Sequence, residues 1–254
     1  MEEIKIRPGY IIKGYMLKEM VGAGGFSTVY KAETINPLPL YTSIIAVKVL
    51  HPRRLERQQI RQFIKEGKIV KNLEHPNIVK VFDIVQQDGN FFILMEFLDT
   101  DLLKAIRTKK EIFNEKNIIE VITKAAKGLA YIHKNGIVHK DINPSNILIS
   151  YNLEKVKITD FGLAKRERFF MNKRDFMSGT EGYIPPERFE GKPADAKGDI
   201  YSFGKTIEKI YSELKFPMPE KIRNIVKIAT DKNPDNRFES MEGIVFILET
   251  RKIE

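Results

Sequence analysis

The sequence predicts an α+β protein with a strand-rich first part and a helix-rich second part. Two observations carry this. Before residue 99 the chain breaks into short runs rich in β-branched and aromatic residues, "YMLKEMVG", "FSTVYKAE", "SIIAVKVL", "IVKVFDIVQQ" and "NFFILMEFL", separated by turn signals. After Asp101, long segments with apolar residues three and four apart take over.

Each element has its own warrant. "QQDGN" at 86–90 reads as a hairpin turn, because Asp-Gly suits the positive φ angles that a two-residue turn demands. One helix interrupts the strands: from Arg57 to Leu73, Ile60, Phe63, Ile64, Val70 and Leu73 recur near the helical period. The join between the two parts falls near Glu96 to Asp101. In "NEKNIIEVITKAAKGLAYIHKNG", Asn114 is the expected N-cap and Gly136 the expected C-cap. Between them Ile118, Ile122, Ala125, Leu129 and Ile132 step by four, three, four and three, which predicts a buried helix of about five turns. "KVKI" reads as a further apolar strand. "PEKIRNIVKIATDK" and "SMEGIVFILETRK" read as the last helices. There is no internal repeat and no low-complexity segment.

Composition narrows the function classes. The chain has 254 residues, 42% hydrophobic and 30% charged, as in an ordinary globular protein. It contains no Cys, which excludes disulfides, thiolate metal sites and Cys nucleophiles, and its four His make a His-rich metal site a poor expectation. His51 and His75 each precede Pro and read as turn residues. No apolar run approaches the roughly 20 residues that cross a bilayer. "MEEIKIRPGY" lacks the apolar stretch of a signal peptide, so a cytoplasmic location is expected. The net charge of +9 is interleaved with Glu and lacks the aromatic ladder of a single-strand binder, so no nucleic-acid partner is expected.

Several residues stand out chemically. "VGAGGFSTV", residues 21–29, joins two expected strands, and its glycines let a backbone approach phosphate oxygens. A plain hairpin is the simpler reading of that stretch alone. No helix follows, against a Rossmann turn, and no Gly-Lys-Ser/Thr follows, against a Walker loop. Lys48 sits inside the apolar strand "IIAVKVL"; an edge-strand Lys facing solvent is the common case. Yet Phe63, Glu66, Val70 and Leu73 step by three, four and three, so Glu66 lies on an apolar stripe where a carboxylate needs a cation. "HKDINPSN" offers Asp141 and Asn146, and "ITDFGLA" offers Asp160. One or two carboxylates with neutral oxygens suit Mg²⁺.

The order of these features resembles the eukaryotic-type serine/threonine protein kinase family over nearly the whole chain, from about Tyr15 to about Leu248. The motifs are "GAGGFSTV", "AVK", "HKDINPSN", "DFG", "PPE" at 185–187, "DIYSFG" at 199–204 and "NPDNR" with Arg237. The resemblance implies a single bilobal domain over 1–254: a small antiparallel sheet with one helix over 1–96, a hinge at 97–101, and a larger helical lobe over 102–254. It implies ATP and Mg²⁺ as cofactors and Ser/Thr hydroxyls of proteins as substrates. Val21, Gly22, Ala23, Gly24, Gly25, Phe26 and Ser27 are then expected over the ATP phosphates. Lys48 is expected on the α- and β-phosphates, held by Glu66. Val29, Ala46 and Leu148 are expected around the adenine, Glu96 and Leu98 at its edge, and Met95 behind it. Asp141 is expected to take the substrate proton, Thr180 to contact Asp141, Asn146 and Asp160 to bind Mg²⁺, and Arg237 to pair with Glu187.

The chain departs from the family pattern in four places. Ser27 replaces the third loop glycine. Lys140 stands where the family's Arg grips an activation-loop phosphate, and Lys lacks that residue's fork. The segment between Gly204 and Pro234 is short. Asn143 replaces the cation expected near the γ-phosphate; it can donate a hydrogen bond there but supplies no charge. A missing cation predicts reduced turnover and, where that charge is the limit, a gain in Asn143→Lys; a Lys from elsewhere reaching the phosphate, with Lys140 the candidate, predicts instead that kcat stays flat or falls. "KRERFFMNKRDFMSGT" carries a cation cluster in which acidic substrates are one reading and simple solvation the other; Ser178 is its expected autophosphorylation site. The alternative function is a pseudokinase, a nucleotide-binding scaffold with little catalysis. A small-molecule kinase shares the Asp–Asn spacing but not "GTEGY" or "PPE".

Overall fold

The computed structural model describes residues 6–24, 27–36, 43–50, 57–166 and 179–250, with backbone alone at 58, 59, 165 and 166. The chain divides into two compact units, Met1–Glu74 with Val79–Leu98, and His75–Ile78 with Asp99–Glu254.

Among the described residues the first unit is a six-stranded sheet and one helix. The strands are β1 (Ile11–Ile12), β2 (Tyr15–Ala23), β3 (Ser27–Thr34), β4 (Ile44–Leu50), β5 (Val81–Gln87) and β6 (Asn90–Glu96). Their order is β1-β2-β3-β4-β6-β5, antiparallel throughout. Asp88 and Gly89 both take positive φ, 50° and 74°, giving the two-residue turn that their residue types favour. One sheet face carries Tyr30, Ala32, Ile45, Val47, Val49, Phe92 and Leu94 into a core closed by Ile12 and Leu17. Alternation sends Val29, Ala46, Lys48, Ile93 and Met95 to the other face, in the cross-strand rows Val29–Lys48–Ile93 and Ala46–Met95. The helix α1 (Arg57–Lys71) packs on that face with Phe63, Val70 and, just past its end, Leu73 buried. Its approach requires Gly67, where a Cβ would stand 2.9 Å from the Ile84 side chain.

The second unit is mainly helical. Its long helices are α3 (Glu115–Lys134), preceded by β7 (Thr100–Asp101) and α2 (Leu102–Thr108), and α5 (Ala196–Leu214), preceded by α4 (Pro186–Phe189). Asn114 caps α3 in a reciprocal box with Asn117, and Gly136 follows its C-terminus at φ 66°. Ile118, Ile122, Ala125, Leu129 and Ile132 form its buried face. Between α3 and α4 come the short strands β8 (Ile137–Val138), β9 (Ile147–Ile149), β10 (Val156–Ile158) and β11 (Lys165–Arg166). Strand β9 pairs with β7 and β10, and β8 with β11. The chain ends in α6 (Glu220–Ala229) and α7 (Met241–Glu249). Gly204 lets α5 meet the end of α6, since a Cβ there would lie 2.7 Å from the Thr230 side chain.

One segment departs from the sequence reading. The run "IVKVFDIVQQ" is not one strand: β5 starts at Val81, while Ile78 bridges Ile158 in the second unit. Asn77 causes the split. Its side chain donates to the Val156 carbonyl at 2.9 Å, its own carbonyl accepts from Ile158 N–H at 2.9 Å, and His75 Nδ1 accepts its N–H at 3.1 Å. Gly128 in α3 makes room, because a Cβ would come within 2.6 Å of the Asn77 carbonyl oxygen. His75 stacks on Tyr131 with ring centroids 4.8 Å apart, so it is more than a turn residue. No helix among the described residues is long and apolar enough to cross a membrane.

Candidate active site

In the first unit, the anomaly of a Lys in an apolar strand and a Glu on an apolar helix stripe resolves as one pair. Lys48 Nζ donates to Glu66 Oε1 at 2.6 Å, with side chains only 14% and 10% exposed. The Phe63 ring lies 6.0 Å from the ammonium. Two charges this buried persist because each neutralises the other; removing one partner typically costs about 3–5 kcal/mol. The ladder sets Gly22 opposite Val29, and Val29 opposite Lys48. A Cβ on Gly22 would meet only Val29, at 3.7 Å, so the glycine keeps the space over Val29 clear. Gly24 N–H donates to the Ser27 carbonyl at 2.8 Å across the turn, flanked by exposed Val21 and Ala23. Gly25 and Phe26 lie outside the described residues. Met95 and Leu98 are buried, Glu96 is half-buried, and Glu96 N–H donates to the Lys80 carbonyl at 2.9 Å.

In the second unit, the residues of "HKDINPSN" close into a hydrogen-bonded loop around Asp141. Its Oδ1 accepts from Thr180 N–H at 2.9 Å, from Thr180 Oγ1 at 2.7 Å and from Asn143 Nδ2 at 3.1 Å. Its Oδ2 accepts one hydrogen bond, from Asn146 Nδ2 at 2.9 Å. One carboxylate oxygen is therefore saturated, and the other retains acceptor capacity. Asn143 is 3% exposed; its amide also reaches Thr180 Oγ1 at 3.1 Å and the Asp141 carbonyl at 3.2 Å, and its Oδ1 accepts from Ser145 N–H at 2.9 Å. The amide hydrogens expected to meet a phosphate are thus engaged within the loop. Leu148, on β9, is half-buried.

The donor set suits a hard cation. Asn146 Nδ2 is turned toward Asp141, donating to its carbonyl at 2.8 Å and its carboxylate at 2.9 Å, so Oδ1 is the atom left for a ligand. Thr159 N–H donates to the Asn146 carbonyl at 3.0 Å, bringing the chain just before Asp160 against Asn146. Asp160 stands at φ 60°, ψ 69°, a left-handed conformation disfavoured for a non-glycine residue. A carboxylate and an amide oxygen match the preferences of Mg²⁺ rather than those of a softer metal. Among the described residues no group of three or more His, Cys, Asp or Glu could hold a metal.

Beneath this loop lie Asp199 and His139, the first residues of "DIYSFG" and "HKDINPSN", to which the sequence alone assigned no role. Asp199, in the first turn of α5 and 1% exposed, accepts from His139 N–H and Lys140 N–H at 2.7 Å each, and its Oδ2 lies 2.9 Å from His133 Nε2. Burial alone would raise its carboxyl, but the hydrogen bond and charge of His133, with His139 beside it, hold it below the ordinary 3.8. This anchor holds Lys140 at φ 74°, a strained backbone immediately before Asp141. His139 is fully buried: Nδ1 accepts Asp141 N–H at 3.3 Å and Nε2 donates to the Thr159 carbonyl at 3.0 Å. The signal in the sequence was an Asp inside an otherwise buried helical run.

Farther on, Glu187 and Arg237 form the expected pair, a two-pronged contact at 2.7 Å on each prong with side chains 5% and 0% exposed. Arg237 also donates to the carbonyls of Asp231 and Lys197 and lies over the Tyr201 ring at 4.9 Å. Ser178 and most of the cation cluster before it lie outside the described residues.

Comparison with known proteins gives the family. The family described as protein kinase domain matches residues 15–244. The serine/threonine-protein kinase PrkC of Bacillus subtilis is 28% identical over 258 residues, covering 91% of this chain and 39% of that protein. A probable serine/threonine-protein kinase of Clostridium perfringens is 30% identical over 266 residues, covering 94% of this chain and 38% of that protein. PknA of Corynebacterium glutamicum is 34% identical over 197 residues, 75% of this chain and 41% of that protein. The chain spans about two fifths of the length of these relatives. With an antiparallel sheet and a helix in one unit and a mainly helical second unit, the chain belongs to the protein kinase domain family.

Proposed function

We propose that the chain transfers the γ-phosphoryl group of ATP to Ser or Thr hydroxyls of proteins, with Mg²⁺ as cofactor. The observation that carries this reading is the Asp141 carboxylate, with Oδ1 saturated by three donors and Oδ2 left open. A base held by one oxygen keeps its other oxygen at a fixed place for an incoming hydroxyl. In this reading Asp141 Oδ2 orients the hydroxyl and takes its proton as the new O–P bond forms and the bond to ADP breaks. Thr180, Asn143 and Asn146 hold that carboxylate in place. Lys48, fixed by Glu66, contacts the α- and β-phosphates, and the backbone of 21–27 covers the phosphates. Val29, Ala46, Met95, Glu96, Leu98 and Leu148 receive the adenine. Asn146 Oδ1 and Asp160 hold the cation, which neutralises charge on the phosphates.

Support comes from the family and from relatives described as serine/threonine kinases; nothing favours the scaffold alternative. A cytoplasmic location is part of the proposal. The test is phosphate incorporation from labelled ATP into a generic protein substrate with and without Mg²⁺, for wild type and Asp141→Asn. Labelled Ser and Thr in wild type only are expected; metal-independent labelling or labelled Tyr would overturn the reading.

A further inference from the structure

We propose that Arg107, Lys110 and Lys209, gathered around Glu213, form a subsite that selects an Asp or Glu side chain of the protein substrate a few residues from the accepting hydroxyl. The subsite rests on the phosphoryl-transfer reading above and extends it from the reaction to the choice of substrate. The cluster ties α2 to α5. Arg107 Nε and Nη2 donate to Glu213 Oε1 at 3.2 and 3.1 Å, and Lys209 Nζ lies 2.9 Å from the same oxygen. Lys110 Nζ donates to the Glu213 carbonyl at 2.7 Å. Three cations thus share one carboxylate, which leaves two positive charges in excess. The preceding acid of α5, Glu208, is taken by Lys205, and exposed Lys109 and Glu111 in the flanking turn offset one another. The Arg107 side chain is 51% exposed and that of Lys209 37%. Arg107 Nη1 has no partner among the described residues, and an ammonium keeps further hydrogens after one contact, so both side chains can donate to an incoming carboxylate.

The position of the cluster names its occupant. Thr180 Oγ1 holds Asp141 Oδ1, Tyr183 N–H donates to the Thr180 carbonyl at 3.0 Å, and the Tyr183 carbonyl accepts from Ser202 Oγ of α5 at 2.8 Å. The stretch 180–183 therefore runs from the base to α5. Lys209 and Glu213 follow Ser202 by seven and eleven residues, which puts them within about 20° of it on the same face of the helix, about 10–17 Å along the axis. Helices α2 and α5 both pack against the 144–146 turn of the catalytic loop. Burial raises the Tyr183 hydroxyl above its usual value, and the charges of Arg107 and Glu213 both reach it. A chain that presents its hydroxyl to Asp141 spans that distance in about three to five extended residues. Nearer the acceptor, exposed Glu181 repels an acid, so the preference falls at the cluster and not beside the acceptor. Glu213 Oε2 is open among the described residues, yet the excess charge around it favours an anion over a cation.

The test is labelling from ATP of peptides of about thirteen Ala and Gln residues around one central Ser, with a single Glu at each place up to about five residues on either side. For each protein the readout is kcat/KM for a Glu peptide over that for the neutral peptide, which cancels any difference in folded fraction. In wild type, one or two neighbouring places about three to five residues from the Ser raise the ratio about fivefold or more, and added salt reduces the gain. Lys209→Glu reverses the preference, so that Arg at the same place becomes the better residue. Lys209→Gln loses part of the gain and serves if the reversal fails to fold. Lys227→Glu, the same charge change on an exposed site of α6, leaves the ratio within about twofold of wild type. A labelled neutral peptide with equal ratios at every place overturns the subsite and leaves phosphoryl transfer standing; no labelling of any peptide overturns both. The subsite is also overturned if wild type favours Arg over Glu at those places, or if Lys209→Glu and Lys227→Glu keep the same ratio.

Discussion

Asn143→Ala is the most informative single change in the catalytic loop. It deletes the 3.1 Å hydrogen bonds to Asp141 Oδ1 and Thr180 Oγ1 and the acceptor that caps Ser145 N–H. A hydrogen bond to a charged group contributes about 1.5–3 kcal/mol, and a lost cap costs about 0.5–2 kcal/mol. Only the first term bears on the orientation of the base, so kcat should fall by about 10–150-fold. KM for ATP should move by less than about threefold, because the loss is felt at the proton acceptor. The cap term appears separately, as a lower unfolding temperature. Asn143→Lys should not raise kcat, contrary to what a missing cation suggests from sequence alone. At a site 3% exposed, an ammonium donates but cannot accept from Ser145 N–H. Steady-state kinetics on one peptide with saturating ATP decide the matter. A kcat for Asn143→Ala within threefold of wild type, or a gain in Asn143→Lys, would refute the argument.

Three further outcomes are expected. Lys48→Met leaves Glu66 buried without its cation and should lose nearly all phosphoryl transfer, with a fall in unfolding free energy of about 3–5 kcal/mol; retained activity in a labelled-ATP assay would count against the assigned role. Arg237→Met strands Glu187 in the same way and should destabilise the second unit by a similar amount, read by chemical denaturation. Acid should act through Asp199. Its folded carboxyl titrates below 3.8, so its stabilisation is complete above that value and is lost as pH falls through the lower folded value. Asp199→Asn should be less stable at neutral pH and show a flatter acid limb; an unchanged acid limb would contradict the assignment.

What the sequence disclosed divides along physical lines. The long periodic elements were legible because burial imposes its own spacing: the α3 stripe from Ile118 to Ile132 is buried as its steps of three and four require. The Lys48–Glu66 pair was legible because each charge is costly where the pattern puts it, and the cost implies a partner. Elements held by geometry rather than by pattern were not. Strand β1 exists because Lys13 and Gly14 both adopt positive φ, 49° and 80°, and a Lys gives no sign of that. Strands β7, β8 and β11 are two residues each, too short for any period. The anchoring of 75–78 rests on the side chain and carbonyl of one Asn against a bare glycine in a helix, partners about fifty and eighty residues away. The role of Asp199, though not its odd place in a buried helical run, was hidden for the same reason: two of its partners are backbone amides of a distant loop, which leave no mark on residue type.

The central claim is that Asp141 Oδ2 is the proton acceptor in phosphoryl transfer to Ser or Thr. The most direct test is the rate of phosphate incorporation from labelled ATP into one Ser-containing peptide, for wild type and Asp141→Asn, with nucleotide binding measured separately on both. General-base catalysis contributes about 10²–10⁴-fold. The substituted protein should bind ATP as wild type does and transfer phosphate at least about a hundredfold more slowly. Equal rates in the two proteins, or a wild type that binds ATP and transfers nothing, would contradict the account.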